Sequence, residues 1–206
     1  MAGLLHEFGL AWKFGVNTMR AKGTKTTMLT TDNTALVVID VQGKLASLMD
    51  QSERLIHNLG VLIQGVKILE LPVFWLEQYP KGLGATVPEI AELLAGGEPL
   101  PKMSFSACGQ ETFMERLRES GRKRVLLAGI ESHVCVYQTA RDLLAEGFEV
   151  EVVVDAISSR TAENKVIGLK KMQRLGAELT SVETALFELM RTAEAPRFKD
   201  VARLLR

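Results

Sequence analysis

Short apolar runs alternate with longer amphipathic segments along most of this chain, and this alternation restricts its fold more than any other sequence feature. Residues 35–39 are continuously apolar, as a strand buried on both faces should be. After them, leucine, isoleucine and valine recur at helical spacing from Leu55 to Leu69. Repetition of the two patterns requires parallel strands joined by helical crossovers. We therefore expect an α/β fold, a three-layer αβα sandwich with a mostly parallel sheet of five or six strands.

The predicted elements end at glycines, prolines and polar clusters. Strands are predicted at 35–39, 72–76, 100–103, 124–128, 148–154 and 178–182. Helices are predicted at 55–69, 89–94, 113–121, 133–146 and 166–176. Residues 79–101 are rich in glycine and proline, which indicates an inserted loop or lid.

The charge balance disfavours whole classes of partner. The 206 residues carry 25 Lys and Arg against 25 Asp and Glu, so no net field gathers nucleic acid or an anionic membrane. No apolar stretch approaches the ~20 residues of a membrane span. Two cysteines without a recognisable secretory signal predict free thiols in a reducing compartment. We expect a cytoplasmic protein with a small-molecule substrate and no nucleic-acid or membrane partner.

Residues 1–27 differ from the rest of the chain. They hold four basic residues and one acidic residue, a net charge of 4 − 1 = +3, and an apolar stripe at roughly helical spacing. Three interpretations of this segment are open. It is a docking helix, a transit-like segment, or sequence upstream of a start at Met28. We treat residues 1–27 as an N-terminal extension and residues 28–206 as one domain.

Polar groups with catalytic chemistry lie where predicted strands end. Asp40 follows the first strand, Lys102 lies at the third and Cys135 lies shortly after the fourth. Glu77 is expected to follow the second predicted strand, and Asp155 is expected to end the fifth. The carboxyl ends of parallel strands form the edge at which such sheets bind ligands. Each residue alone has an ordinary explanation, but together they predict a base, a fixed positive charge and a nucleophile.

Cys135 is predicted to be the nucleophile because of its place in a helix. Ser132 suits an N-cap, which would put Cys135 in the first helical turn. Unpaired amides and the helix dipole lower a thiol pKa there, and a nearby ammonium lowers it further. The alternative is a small buried apolar residue. Cys108 lies in a predicted loop without this setting, and His133, two residues before Cys135, faces away from it.

Three segments of the chain hold these residues: Val38-Ile-Asp40-Val-Gln42, Pro101-Lys102-Met-Ser-Phe105-Ser and Gly129-Ile-Glu-Ser-His-Val-Cys135-Val. In order and spacing they resemble the catalytic segments of the isochorismatase-like cysteine hydrolases, over about residues 32–190. The resemblance implies a catalytic triad of Asp40, Lys102 and Cys135. It also implies a cis peptide bond between Ile130 and Glu131, and an oxyanion hole made by the backbone amides of Glu131 and Cys135.

The chain departs from the nicotinamidases of that family, which bind a metal through an acid and histidines after the second strand. Here that region contains no histidine, and the three histidines of the chain lie in unrelated segments. We therefore expect no catalytic metal and no cofactor. Members that cleave isochorismate do not need the cysteine, so Cys135 favours an amide, ureido or imide bond, attacked to form a thioester.

Six residues are expected to line the substrate pocket, with aromatic side chains as apolar walls and the others as polar contacts. They are Gln42, Glu77, Gln78, Tyr79, Phe105 and Glu131.

Other functions remain open at this point. A binding or scaffold module could keep the fold without turnover, although three intact site residues argue against it. A vinyl ether hydrolase and a redox thiol protein are further alternatives. A nucleotide-binding domain is disfavoured because the turn after the first strand has one glycine and no Gly-x-Gly-x-x-Gly. Surplus apolar helix surface, together with the family resemblance, predicts a homo-oligomer of dimer size or larger.

Overall fold

Six parallel strands form one sheet in the order β3-β2-β1-β4-β5-β6 in the computed structural model, which describes residues 28–206. Helices cover both faces, so the predicted αβα sandwich is confirmed. The strand order reverses between β1 and β4, and ligands bind at such a reversal in open α/β sheets. The strands are β1 Thr34–Ile39, β2 Val73–Gln78, β3 Leu100–Lys102, β4 Arg124–Ile130, β5 Glu149–Ser158 and β6 Glu178–Thr180.

Helices connect and follow these strands. The α-helices of the described residues are α1 Gly43–Ser47, α2 Ser52–Ile68, α3 Pro80–Leu83, α4 Pro88–Ala91, α5 Glu111–Glu119, α6 Tyr137–Ala145, α7 Ala162–Arg174, α8 Val182–Met190 and α9 Phe198–Leu204. Short 3₁₀ turns occur at Glu92–Leu94 and Ala107–Gly109, and a π-helical turn at Ser132–Val136 runs directly into α6. The expected N-terminal extension, residues 1–27, lies outside the described residues.

The continuous apolar run of β1 follows from its position in the middle of the sheet. All of its residues are buried, and successive side chains point to opposite faces. Leu36 and Val38 pack into the core layer that contains α2 and α8, whereas Val37 and Ile39 pack into the layer that contains α5 and α6. A central strand therefore carries apolar residues on both faces, as residues 35–39 do, and not at alternate positions.

Gly129 allows β1 and β4 to approach closely at the reversal of strand order. Its φ is +112°, and a Cβ atom placed on it would lie 2.1 Å from the carbonyl oxygen of Ile39. No residue with a side chain fits this position without moving β1.

The region predicted as an inserted loop or lid is folded back onto the sheet edge. It contains α3, α4 and a 3₁₀ turn. Thr86 fastens it, because its hydroxyl accepts a hydrogen bond from Trp75 Nε1 at 2.7 Å and donates one to Glu77 Oε1 at 2.8 Å. The insertion is therefore held by buried side chains at the end of β2.

Two parts of the fold differ from the sequence prediction. Strand β5 continues to Ser158, so the prediction that Asp155 ends it is wrong. The Asp155 carboxylate instead accepts a hydrogen bond from the Val182 amide at 2.9 Å, at the start of α8. Helices α1, α3, α8 and α9 were not predicted, although α8 buries an apolar face against the sheet.

Across residues 28–206, every helix is too short or too polar to cross a lipid bilayer.

Candidate active site

Asp40 and Lys102 meet beyond the carboxyl edge of the sheet as a buried ion pair. Asp40 directly follows β1, Lys102 ends β3, and the distance from Lys102 Nζ to Asp40 Oδ2 is 2.8 Å. Both side chains are almost completely excluded from solvent. In a buried pair of this kind, the attraction between opposite charges offsets part of the cost of removing both groups from water.

Neutral acceptors complete the surroundings of the Lys102 ammonium. Gln78 Oε1 accepts a hydrogen bond at 2.7 Å, and the carbonyl oxygens of Phe105 and Ser104 lie at 3.0 and 3.2 Å from Nζ. The Gln78 amide nitrogen donates in turn to the Met103 carbonyl at 2.8 Å. The positive charge is therefore fixed in place by the end of β2 and by the loop after β3.

The second carboxylate oxygen of Asp40 is available for chemistry. Oδ1 is buried and has no partner at normal hydrogen-bond geometry among residues 28–206. Burial raises the pKa of Asp40, while the charge of Lys102 and hydrogen bonding from Lys102 and the Cys135 thiol oppose that rise. A carboxyl group whose proton affinity is raised in this way is suited to accept a proton.

Cys135 lies in the π-helical turn after β4 and is 7% exposed. The amides of Val134 and Val136, on either side of it, donate to the Glu131 carbonyl at 3.0 and 3.2 Å. The prediction that Ser132 caps this helix is wrong. Glu131 occupies the N-cap position, and the Ser132 hydroxyl donates to the Ser158 carbonyl at 2.8 Å. Cys135 still enters the first helical turn after β4, but a different residue begins that turn.

The prediction of a lowered Cys135 pKa is wrong. Burial raises the pKa of the thiol to about 12, and the negative charge of Asp40 contributes to the rise, whereas Lys102 opposes it. Burial similarly raises the pKa of Cys108 to about 11. Both resting cysteines are thiols, so what distinguishes Cys135 is its acidic and basic neighbours and not its own acidity.

The side chains of three predicted pocket residues are hydrogen-bonded to other groups of the protein. Gln42 is completely buried, and its Nε2 donates to the carbonyls of Gln78 at 3.0 Å and Gly84 at 2.7 Å, while its Oε1 accepts from the Gln78 amide. Glu77 Oε1 accepts from the amide and hydroxyl of Thr86. Gln78 holds Lys102, as described above. These side chains position the site and have few polar atoms left for a ligand.

The remaining three are two exposed aromatic residues, Tyr79 and Phe105, and the buried Glu131. Tyr79 is 46% exposed and Phe105 is 53% exposed, so both side chains are accessible to a ligand. They follow the ends of β2 and β3, and we call this exposed surface the mouth of the site. Met103, which was not predicted, is 71% exposed between Lys102 and Phe105 in the chain. The carboxylate of Glu131 accepts from the backbone amide and Nε of Arg160 at 3.2 and 3.1 Å. Arg160 was also missed, because it is distant in sequence from every predicted motif.

Two further expectations concern the turn around Cys135. The peptide bond between Ile130 and Glu131 is cis, as the family resemblance implied. His133 Nδ1 lies 3.0 Å from Ser159 Oγ, so this histidine is engaged with the end of β5. Among residues 28–206, no three His, Cys, Asp or Glu side chains are grouped as metal ligands.

This fold and this edge of the sheet define a class of α/β proteins with an acid, an amine and a thiol converging from three strands. The isochorismatase domain family matches residues 34–184, and the chain belongs to that family. It is similar to the secreted isochorismatase effector Isc1 of Phytophthora sojae, with 39% identity over 84% of this chain and 85% of the relative. Isochorismatase domain-containing protein 2 of Danio rerio is 37% identical over 86% of this chain and 89% of its own.

Solved structures share the same architecture. The MAR1 ribonuclease of Caenorhabditis elegans has a TM-score of 0.82 and 40% identity, covering 87% of this chain and 92% of its own. The YcaC gene product of Escherichia coli, described as an octameric hydrolase of unknown specificity, also has a TM-score of 0.82, with 25% identity over 86% of this chain and 89% of its own.

Proposed function

We propose that the protein is a cysteine hydrolase that cleaves a small amide, ureido or imide C–N bond through a thioester intermediate. The observation that carries the proposal is the buried cluster of Asp40, Lys102 and Cys135. Lys102 holds one oxygen of Asp40, and the other has no hydrogen-bond partner at normal geometry among residues 28–206. The catalytic roles are general base for Asp40, nucleophile for Cys135 and fixed charge for Lys102.

In the first half-reaction, the thiol proton of Cys135 passes to the Asp40 carboxylate as Sγ attacks the carbonyl carbon. Burial raises the pKa of the Cys135 thiol to about 12, so the resting residue is protonated at neutral pH and needs a base such as Asp40 to become the nucleophile. The carbonyl oxygen becomes an oxyanion, which the backbone amides of Glu131 and Cys135 stabilise. The C–N bond then breaks, and the proton held by Asp40 passes to the leaving nitrogen.

In the second half-reaction, Asp40 accepts a proton from a water molecule, and the oxygen of that water attacks the thioester carbonyl carbon. The C–S bond breaks, the proton returns from Asp40 to Sγ, and a carboxylic acid is released. Lys102 keeps the Asp40 carboxylate oriented throughout, because its ammonium is anchored by Gln78 and by two backbone carbonyls. Neither half-reaction oxidises or reduces any of the residues named here.

A small substrate fits the exposed aromatic side chains at the mouth. Tyr79 and Phe105 offer apolar contact area. We propose that polar selection comes from the loop backbone near Lys102 and from Glu131 with its partner Arg160, since Gln42 and Glu77 are occupied. The same exposed apolar mouth, together with the octameric relative, supports a homo-oligomer. Light scattering coupled to size exclusion would test that assembly.

The test is a panel of small primary amides, ureido acids and imides, assayed for release of ammonia or amine. Intact-protein mass spectrometry after rapid acid quench would detect an acyl group on Cys135. Cys135→Ala should abolish turnover and the adduct, whereas Cys108→Ala should leave both unchanged. RNA and isochorismate belong in the panel as well.

Several outcomes would overturn the proposal. RNA cleavage without amide turnover would favour a nuclease, and isochorismate cleavage that survives Cys135→Ala would favour vinyl ether hydrolysis. Absence of turnover on every substrate, with unchanged ligand binding in Cys135→Ala, would favour a scaffold module. The cytoplasmic location stays a prediction, and a relative named as secreted gives reason to test it by fractionation.

A further inference from the structure

A charged cavity of about 240 Å³ lies beside the end of β5, between α2 and α7. It shares no lining residue with the Asp40, Lys102 and Cys135 cluster. Its charged side chains are Asp50 just before α2, Arg54 on α2, Asp155 on β5 and Lys165 on α7. Two positive and two negative groups from four different parts of the chain therefore surround one small space.

Three of these groups act on the Lys165 ammonium without pairing with it. The carboxylates of Asp155 and Asp50 act on the Lys165 ammonium through their charge, as does the Arg54 guanidinium. Yet the charged ends of Lys165, Arg54 and Asp50 form no ion pair or hydrogen bond within residues 28–206, and Asp155 uses only Oδ1, for the Val182 amide. Charged groups that are close but unpaired leave room between them for a ligand that carries charge itself.

The position of Lys165 makes this arrangement costly without a ligand. The side chain is half-buried, and burial lowers the pKa of its ammonium. The charges of Asp155 and Asp50 offset only part of the cost of burying this ammonium, and no group among residues 28–206 accepts a hydrogen bond from it. A bound anionic group would supply the missing partner, and the adjacent carboxylates would favour a positive group beside it.

The net charge of the four groups is zero, 2 − 2, which matches a ligand that is neutral overall and carries both signs. A volume of about 240 Å³ lies below the usual range for drug-sized ligands and suits a molecule of amino-acid size. We propose that this cavity is a second ligand site that binds a small zwitterion, with its carboxylate between Lys165 and Arg54 and its ammonium toward Asp50 and Asp155.

The test measures binding by isothermal titration calorimetry on Cys135→Ala protein, so that its outcome is independent of the proposed hydrolysis. The probes are glycine, β-alanine and γ-aminobutyrate, which separate the two charges by increasing lengths. Acetate and methylammonium are controls that carry one charge each. At least one zwitterion should saturate a single site and bind at least about tenfold more tightly than either control.

Variants locate the site. Lys165→Met and Asp155→Asn should each weaken binding about tenfold or more, and the asparagine keeps an acceptor for the Val182 amide so that α8 remains capped. Arg54→Met provides a second cationic test at an exposed position. Lys170→Met, on the exposed side of the same α7 helix, should bind like the parent.

Three results would overturn the proposal: no saturable binding of any zwitterion, equal binding of acetate or methylammonium, or unchanged affinity in Lys165→Met, Arg54→Met and Asp155→Asn.

Discussion

The Oε1 atom of Gln78 lies 2.7 Å from the Lys102 ammonium, as near as the Asp40 carboxylate at 2.8 Å. A neutral amide thus contributes as directly as the acid to holding this lysine. Gln78 is a positioning residue, since its other amide atom is bound to the Met103 carbonyl.

Replacing Gln78 should therefore affect the site through Lys102. We expect Gln78→Ala to lower kcat while KM changes little, and to reduce stability by roughly 1–3 kcal/mol because a buried ammonium loses an acceptor. Gln64→Ala is the control, since the Gln64 amide only donates to the Gly60 carbonyl within α2. Equal effects of the two substitutions on kcat would contradict the role given to Gln78.

Replacing Asp40 should separate thiol acidity from catalysis. The negative charge and hydrogen bonding of Asp40 raise the pKa of Cys135, so Asp40→Asn should lower it. Alkylation of Cys135 by iodoacetamide at mildly alkaline pH should then be faster than in the parent, whereas turnover should be lost. Peptide mapping after a brief, limiting treatment measures the labelling, with Cys108 as the internal control. Slower labelling of Cys135 in Asp40→Asn would refute this electrostatic relationship.

Removing the Lys102 charge should make stability depend on pH. Lys102→Met leaves Asp40 buried without its cation, which costs roughly 3–5 kcal/mol when the carboxyl is ionised. The pKa of Asp40, already raised by burial, should rise further. A carboxyl whose pKa is raised on folding contributes stability below its unfolded pKa and loses it as pH rises through the folded pKa.

The deficit of Lys102→Met relative to the parent should therefore be smaller near pH 4 than near pH 8, in urea unfolding followed by circular dichroism. Lys44→Met, at an exposed lysine without a side-chain partner, should show no deficit at either pH. A deficit of the same size at both pH values would mean that Asp40 does not titrate in this range.

Gly129→Ala should be far more damaging than an alanine at another glycine with positive φ. The added Cβ would meet the backbone of Ile39 at 2.1 Å, which rearranges the junction of β1 and β4, so we expect a loss above about 3 kcal/mol or failure to fold. Gly96→Ala is the matched control, because Gly96 has φ +98° with open space around it and should lose only about 1 kcal/mol. Similar losses in thermal unfolding would show that φ, not the close approach, decides the cost.

The layer architecture and the convergence of Asp40, Lys102 and Cys135 at one edge of the sheet could be predicted from sequence, because both follow from short-range periodicity and the rule that parallel strands end together. The surroundings could not. Burial and the charge of Asp40 raise the Cys135 pKa, and neither can be read from the position of Cys135 in a helix. Glu77 was expected to follow β2 but lies within it, and Gln42 is the N-cap residue of α1 after β1. Their partners come from a loop whose path depends on tertiary contacts.

The loop after β3 binds the Lys102 ammonium with its main chain alone, through the carbonyls of Ser104 and Phe105. The side chains of Met103 and Phe105 are left pointing outward and largely exposed. In the proposed enzyme, selectivity and reactivity therefore depend on separable parts of the same few residues. Libraries that vary positions 103 and 105 should change which molecules bind, while the Lys102 ammonium stays in place as long as the backbone conformation of this loop is kept.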